Sequence, residues 1–294
     1  MKKPQIGITM GDPKGIGPEV VQKALASREI RKICEPVLFG PSEFFDWKKT
    51  KTLSDKECGR LSHLYIRQAV RAAMQRKIAA IVTGPISKAN LNKAGYHYPG
   101  HTELLAELTG TKKVVMMMSG PQLKVSLVTI HEPLAKVPKL LTEKNIFETI
   151  ELTNNWLKKY FGIKKPKLAV AGLNPHAGEG GIFGPEEKKI IQPAVLKACR
   201  QKINVAGPLS ADSLFHKAAN GRFDAVIAMY HDQGLIPLKL LHFEEGVNII
   251  LGLPIIRTSP DHGTAFDIAG RGIASPQSMI AAIRMAVEMV QHVY

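Results

Sequence analysis

Short apolar runs that do not alternate with polar residues, separated by longer amphipathic stretches, constrain this chain more than any other feature. Runs at 6–10, 36–40, 79–83, 114–118, 125–130, 167–172, 224–229 and 247–251 are built mainly from Val, Ile, Leu, Met and Ala. A strand with water on one face alternates with period two, whereas a strand covered on both faces is apolar throughout. Segments 18–26, 61–77, 102–108, 143–161, 185–202, 210–219 and 276–293 instead place apolar residues at helical spacing. Strands and helices in alternation imply crossover connections. The expected fold class is therefore α/β, with largely parallel sheets and helices on both faces.

The chain has 294 residues, enough for one large domain or two modest ones. No apolar stretch approaches the roughly 20 residues of a membrane helix, and the first apolar run is interrupted by Asp12, so neither a membrane span nor a secretory signal is expected. Cys34, Cys58 and Cys199 are far apart and odd in number, which argues against a disulfide framework and a zinc knuckle. The expected location is cytoplasmic. Forty Lys and Arg against 25 Asp and Glu give a formal charge of +15, which favours anionic partners. With aromatics at 6% and the basic residues scattered over helical segments, no stacking platform for bases is expected, and a basic solvated surface is the commoner explanation.

Two glycine-rich turns precede helical segments, Gly11-Asp-Pro-Lys-Gly-Ile-Gly-Pro-Glu19 and Gly178-Glu-Gly-Gly-Ile-Phe-Gly-Pro-Glu186. Such turns either connect strand to helix or present backbone N–H groups to an anion. Neither fits GxxxxGK[ST], and GxGxxG is absent, which disfavours a P-loop enzyme and an orthodox dinucleotide fold. His131, His176 and His231 each follow the carboxyl end of an expected strand. Those ends share one edge of an open α/β sheet, so the three imidazoles are candidate ligands of one catalytic divalent metal. Asp232 adjoins His231, while Asp212 opens an expected helix as a ligand's neighbour or as a cap. The run from Arg257 to Gly272 is dense in polar and small residues, as a ligand-approaching loop would be.

Six segments, in order over nearly the whole chain, resemble the motif series of the 4-hydroxythreonine-4-phosphate dehydrogenase family. They are Gly11 to Glu19, Thr83-Gly-Pro-Ile-Ser-Lys88, Gly100-His-Thr-Glu103, Leu173 to Gly181, Met229-Tyr-His-Asp-Gln-Gly234 and Arg257 to Ala265. The stretch from His262 to Pro276 also resembles the cofactor loop of isopropylmalate and isocitrate dehydrogenases. The resemblance implies a two-domain subunit of that fold, with the active site in the interdomain cleft. Residues 1–100 and 258–294 would form a discontinuous first domain carrying the cofactor loop. Residues 101–257 would form a second, with the metal and substrate site and the interface of a homodimer that shares its active site.

The same resemblance implies metal ligation by His131, His176 and His231, and substrate contacts at His101, Thr102, Lys239, Asn248 and Arg257. It implies NAD or NADP at His262, Gly263, Thr264, Asp267 and Gly270, with one divalent ion (Zn, Mg or Co) per subunit. Asp212, Asp232 and Lys239 become the catalytic candidates. The implied reaction is oxidation of 4-phosphooxy-L-threonine to 2-amino-3-oxo-4-phosphooxybutanoate, which decarboxylates to 3-amino-2-oxopropyl phosphate in pyridoxal 5'-phosphate biosynthesis. Alternatives are a dehydrogenase of 4-phospho-D-erythronate, 4-phospho-D-threonate or a related hydroxy acid or diol, and a phosphate-handling acyltransferase. The segment between Phe39 and Leu61 is shorter than in longer family members, which leaves the edge of the first domain open.

Overall fold

A computed structural model describes residues 3–293. The chain folds into two compact units, residues 1–114 with 247–294, and residues 115–246. The divisions fall after 114 and before 247 rather than at 100 and 257. The helix His101–Thr109 packs on Asp55–Met74, and strand Val247–Leu251 pairs with Ile256–Pro260, so the first unit retains both. His101, Thr102, Asn248 and Arg257 thereby belong to the first unit.

In the first unit, strands β1 (Gln5–Thr9), β2 (Glu35–Phe39) and β3 (Ala80–Thr83) are parallel, with β1 central. The second unit holds β4 (Val115–Ser119), β5 (Lys124–Leu127), β6 (Leu168–Ala171), β7 (Val205–Leu209) and β8 (Ala225–Ala228). They lie in the order β4-β5-β8-β6-β7, antiparallel only between β4 and β5. The chain then returns to the first unit with β9 (Val247–Leu251), antiparallel to β10 (Ile256–Pro260), which runs parallel to β3. The fold class is therefore the expected one.

Covering on both faces is visible residue by residue. In the second unit Leu168 and Val170 of β6 and Ile227 of β8 pack with the helices Glu143–Tyr160 and Gln192–Arg200. Their alternate neighbours Ala169, Ala171, Val226 and Ala228 pack with the helices Ala211–Ala219 and His231–His242. Burying both sets of side chains leaves no polar position, which is why these strands read as unbroken apolar runs.

Three elements escaped the pattern. The run at 247–251 is β9 as expected, but a further strand, β10, follows it unannounced, because Gly252 turns the chain at φ +94° under the Lys113 carbonyl. Strand β7 contains Gly207 and Pro208 and lies at the edge of its order, the place a proline is tolerated. The helix His231–His242 was hidden by Gly234 and Pro237, which read as breakers. Among the described residues no helix is long and apolar enough to cross a membrane.

The first glycine turn is a packing device. A Cβ on Gly17 would overlap the Met10 carbonyl oxygen. Because backbone cannot yield as a side-chain tip can, Gly17→Ala is expected to destabilise the protein by about 2–3 kcal/mol, read as an earlier midpoint in urea unfolding.

Candidate active site

The three histidines lie at one edge of the second unit. Strands β5, β8 and β6 are parallel neighbours, and His131, His231 and His176 follow their carboxyl ends by four, three and five residues. The rings of His131 and His231 stand 5.7 Å apart, centroid to centroid. Two imidazoles on one ion, with metal–nitrogen bonds near 2.1 Å, would show a separation of about 5 Å.

His231 is the first residue of its helix, and its Nδ1 lies 2.7 Å from Asp232 Oδ1. His176 Nδ1 likewise stands 3.2 Å from Glu179 Oε2. A carboxylate accepts only, so in each pair Nδ1 is the donor; in a neutral imidazole this leaves Nε2 with its lone pair, the arrangement that orients a ligating imidazole. Asp212 is held below the usual carboxylate range, chiefly by the Ser210 hydroxyl 2.5 Å away, with His176 adding to the effect. Asp212 thus stays ionised near neutrality. This donor set suits a divalent cation, although among the described residues no three His, Cys, Asp or Glu side chains stand close enough together to hold one.

The backbone around His176 is unusual. His176, Ala177, Gly178, Glu179 and Gly180 all have positive φ, between 41° and 80°. For the three that are not glycine this costs roughly 1–3 kcal/mol apiece. Lys239, on the helix that begins at His231, places its Nζ 5.9 Å from the Phe243 ring centroid.

The first unit holds a basic pocket. Arg257 on β10 is 2% exposed. Its Nε and Nη2 donate to Thr83 Oγ1 at 3.1 and 2.6 Å, and its Nη1 donates to Asn248 Oδ1 at 3.1 Å. Three of the five guanidinium N–H groups are used, which leaves two. Among the described residues no carboxylate pairs with it, and burial pushes its pKa down to about 9. His101 opens the helix His101–Thr109, followed by Thr102. Its Nε2 is buried without a hydrogen-bond partner. Burial, with the Arg257 charge, depresses its pKa well below the ordinary value, so the ring is neutral. A buried cation without a counter-ion, beside an orphaned imidazole nitrogen and a helix amino terminus, is an arrangement that an anion completes.

The loop after β10 lies against the first glycine turn. Ile16 N–H donates to the Thr264 carbonyl at 2.9 Å, and Ala274 N–H donates to Glu19 at 2.9 Å. His262 Nε2 is a second buried nitrogen without a partner, while Gly263 faces open space. Asp267 and Gly270 are exposed. An orphaned ring nitrogen beside a glycine free of neighbours is a fit for a nucleotide cofactor. The short segment after Phe39 is ordered here as a turn, Ser42–Phe45, and a helix, Trp47–Thr50. Trp47 covers Gly270, where a Cβ would overlap the indole, and a cavity of about 180 Å³ remains beside it, lined by Gly15, Glu19 and Phe44.

Sequence reasoning did not single out Thr83 or Glu179. Thr83 stands in a quoted motif and carries two of the Arg257 contacts. Glu179 sits three residues after His176, a spacing that could have drawn attention to it.

Known proteins share this geometry at two levels. An isocitrate dehydrogenase structure from Methylococcus capsulatus superposes with a TM-score of 0.55 at 17% identity, covering 100% of this chain and 87% of that one. The likeness is of fold, and the class is the α/β architecture of that dehydrogenase group. Within it, the model of "Pyridoxal phosphate biosynthetic protein PdxA" matches residues 20–286, and the chain belongs to this family.

A 4-hydroxythreonine-4-phosphate dehydrogenase from Geobacter metallireducens is 49% identical over 98% of this chain and 96% of its own length. A 1.25 Å structure of the enzyme of that name from Klebsiella pneumoniae has a TM-score of 0.89 at 38% identity, covering 98% of this chain and 100% of that one. A relative from Oceanobacillus iheyensis, 45% identical over 98% of each, carries the provisional name D-threonate 4-phosphate dehydrogenase.

Proposed function

We propose that the chain oxidises the secondary hydroxyl of 4-phosphooxy-L-threonine with NAD or NADP, giving 2-amino-3-oxo-4-phosphooxybutanoate, which loses carbon dioxide to form 3-amino-2-oxopropyl phosphate. The observation that carries this reading is the buried, unpaired charge of Arg257 beside the orphaned His101 Nε2. Together with Thr102, Asn248 and Lys239 they bind the anionic groups of the substrate, the guanidinium fork matching phosphate or carboxylate oxygens.

His131, His176 and His231 would hold a divalent cation, Zn, Mg or Co, and His262, Gly263, Thr264, Asp267 and Gly270 the nicotinamide cofactor. When bound, the cation would supply positive charge for the oxygen of the reacting carbinol, and the cofactor would supply the hydride acceptor. The hydroxyl proton passes to Asp212, directly or through water, because that carboxylate is ionised and not already engaged by His231. Asp232 keeps the His231 ring oriented. Loss of carbon dioxide from the β-keto acid then needs no further base.

The reading includes a homodimer that completes the active site. On the helix His231–His242 and just beyond it, Ile236, Leu240 and Phe243 are 66%, 85% and 76% exposed, spaced four and three residues apart along one face. A stripe of large apolar side chains on the helix that bears His231 is a surface expected to be covered. Leu240→Asp is expected to yield a monomer by size-exclusion chromatography with light scattering and to lower activity at least about tenfold; a dimer of full activity would remove this face from the interface.

A second reading is favoured by the Oceanobacillus relative, whose name points to D-threonate 4-phosphate. A panel of 4-phosphooxy-L-threonine, 4-phospho-D-threonate and 4-phospho-D-erythronate, followed by reduced-cofactor absorbance, separates the two. Highest kcat/KM on the amino acid supports the first reading, and preference for either sugar acid supports the second.

A further inference from the structure

The segment that carries His176 adopts a backbone its side chains resist, and one buried carboxylate grips it. Glu187 is 3% exposed and begins a π-helical turn, Glu187–Ile191. Turns of this kind recur at functional sites. Its Oε1 accepts from the backbone N–H groups of Leu173 at 2.8 Å and Asn174 at 2.7 Å, and its Oε2 accepts from the Asn174 side-chain amide at 3.0 Å. The left-handed run closes over the same group, since a Cβ on Gly178 would stand 2.6 Å from Glu187 Oε2. Its hydrogen bonds all come from amide N–H groups of the segment just before His176, so its effect is on backbone conformation rather than on charge pairing. An ordinary strand-to-helix connection requires no buried carboxylate.

We propose that Glu187 is a positioning residue for the cation site: by clamping 173–178 it holds the strained turn that presents His176 with its Nδ1 on Glu179. The inference rests on His176 being a cation ligand, and its test is arranged so that the two can fail separately. Metal-free wild type, Glu187→Asp, Glu187→Gln and His176→Ala are titrated with Co(II), read by calorimetry and by the visible absorption spectrum. Amide hydrogen exchange of 173–180 is followed in parallel.

Aspartate is one methylene too short to reach both backbone N–H groups. Glutamine keeps the length and one acceptor oxygen. Expected is a tenfold to hundredfold weaker Co(II) affinity in E187D, roughly the loss seen when an outer-shell partner is removed, with an altered spectrum and faster exchange at Leu173 and Asn174, while E187Q stays within about threefold of wild type. Wild-type affinity and spectrum in E187D while H176A binds weakly, or equal loss in E187D and E187Q, overturns the positioning role. Unchanged binding in H176A overturns the ligand assignment and the proposal with it.

Discussion

Arg257→Met (R257M) is expected to weaken the binding of phosphorylated substrate by about a thousandfold without lowering thermal stability. Two N–H groups of the guanidinium remain for an anion, and charge-assisted hydrogen bonds contribute about 1.5–3 kcal/mol each, so losing both gives a factor of roughly 10² to 10⁴. The effect on stability has two opposing parts. Leaving the Asn248 and Thr83 oxygens without their donor costs about 1–3 kcal/mol. Relieving an unpaired buried charge returns about 1–4 kcal/mol, and methionine fills the volume. A thermal melt together with KM for the phosphorylated substrate checks both halves. A large fall in melting temperature with unchanged KM would mean that Arg257 is a structural residue.

His231→Ala is expected to lower kcat by at least about a thousandfold, with the melting temperature little changed. The imidazole is only half-buried and begins a helix, so the fold does not depend on it, whereas positive charge placed at a developing oxyanion is worth about 10² to 10³ or more. Asp232→Asn tests the companion role. It should lose only about tenfold to hundredfold, because the carboxamide oxygen still accepts from His231 Nδ1 but carries no negative charge. Equal losses in both variants would move Asp232 from orienting His231 to the chemistry itself.

The sheet was legible wherever one kind of patterning ran unbroken. The apolar runs at β6 and β8 located both strands to within a residue or two, because both faces are buried and every position reports burial. Strand β7 was not legible. Gly207 and Pro208 are turn residues by local preference, and only its pairing with β6 makes them a strand. The histidines were placed at strand ends from sequence, yet what readies them was not. That His231 would meet Asp232 could be guessed from adjacency, but that His176 would lie in a left-handed run gripped by Glu187 depends on contacts thirteen and fourteen residues apart. Arg257 was recognised through its motif, while its lack of a counter-ion, the property on which the proposed anion site rests, exists only once Thr83 and Asn248 are packed around it.

The central claim is that the imidazoles of His131, His176 and His231, contributed from both subunits of the proposed homodimer, hold one cation on which oxidation depends. Chelator-treated wild-type protein should show negligible reduction of NAD or NADP with 4-phosphooxy-L-threonine, and a titration with Zn(II) or Co(II) should restore turnover in proportion to occupancy, saturating at one ion per subunit. The H131A/H176A/H231A variant should bind none at the same concentrations. Full turnover of the chelated protein, or one tightly bound ion per subunit in the triple variant, would contradict the account.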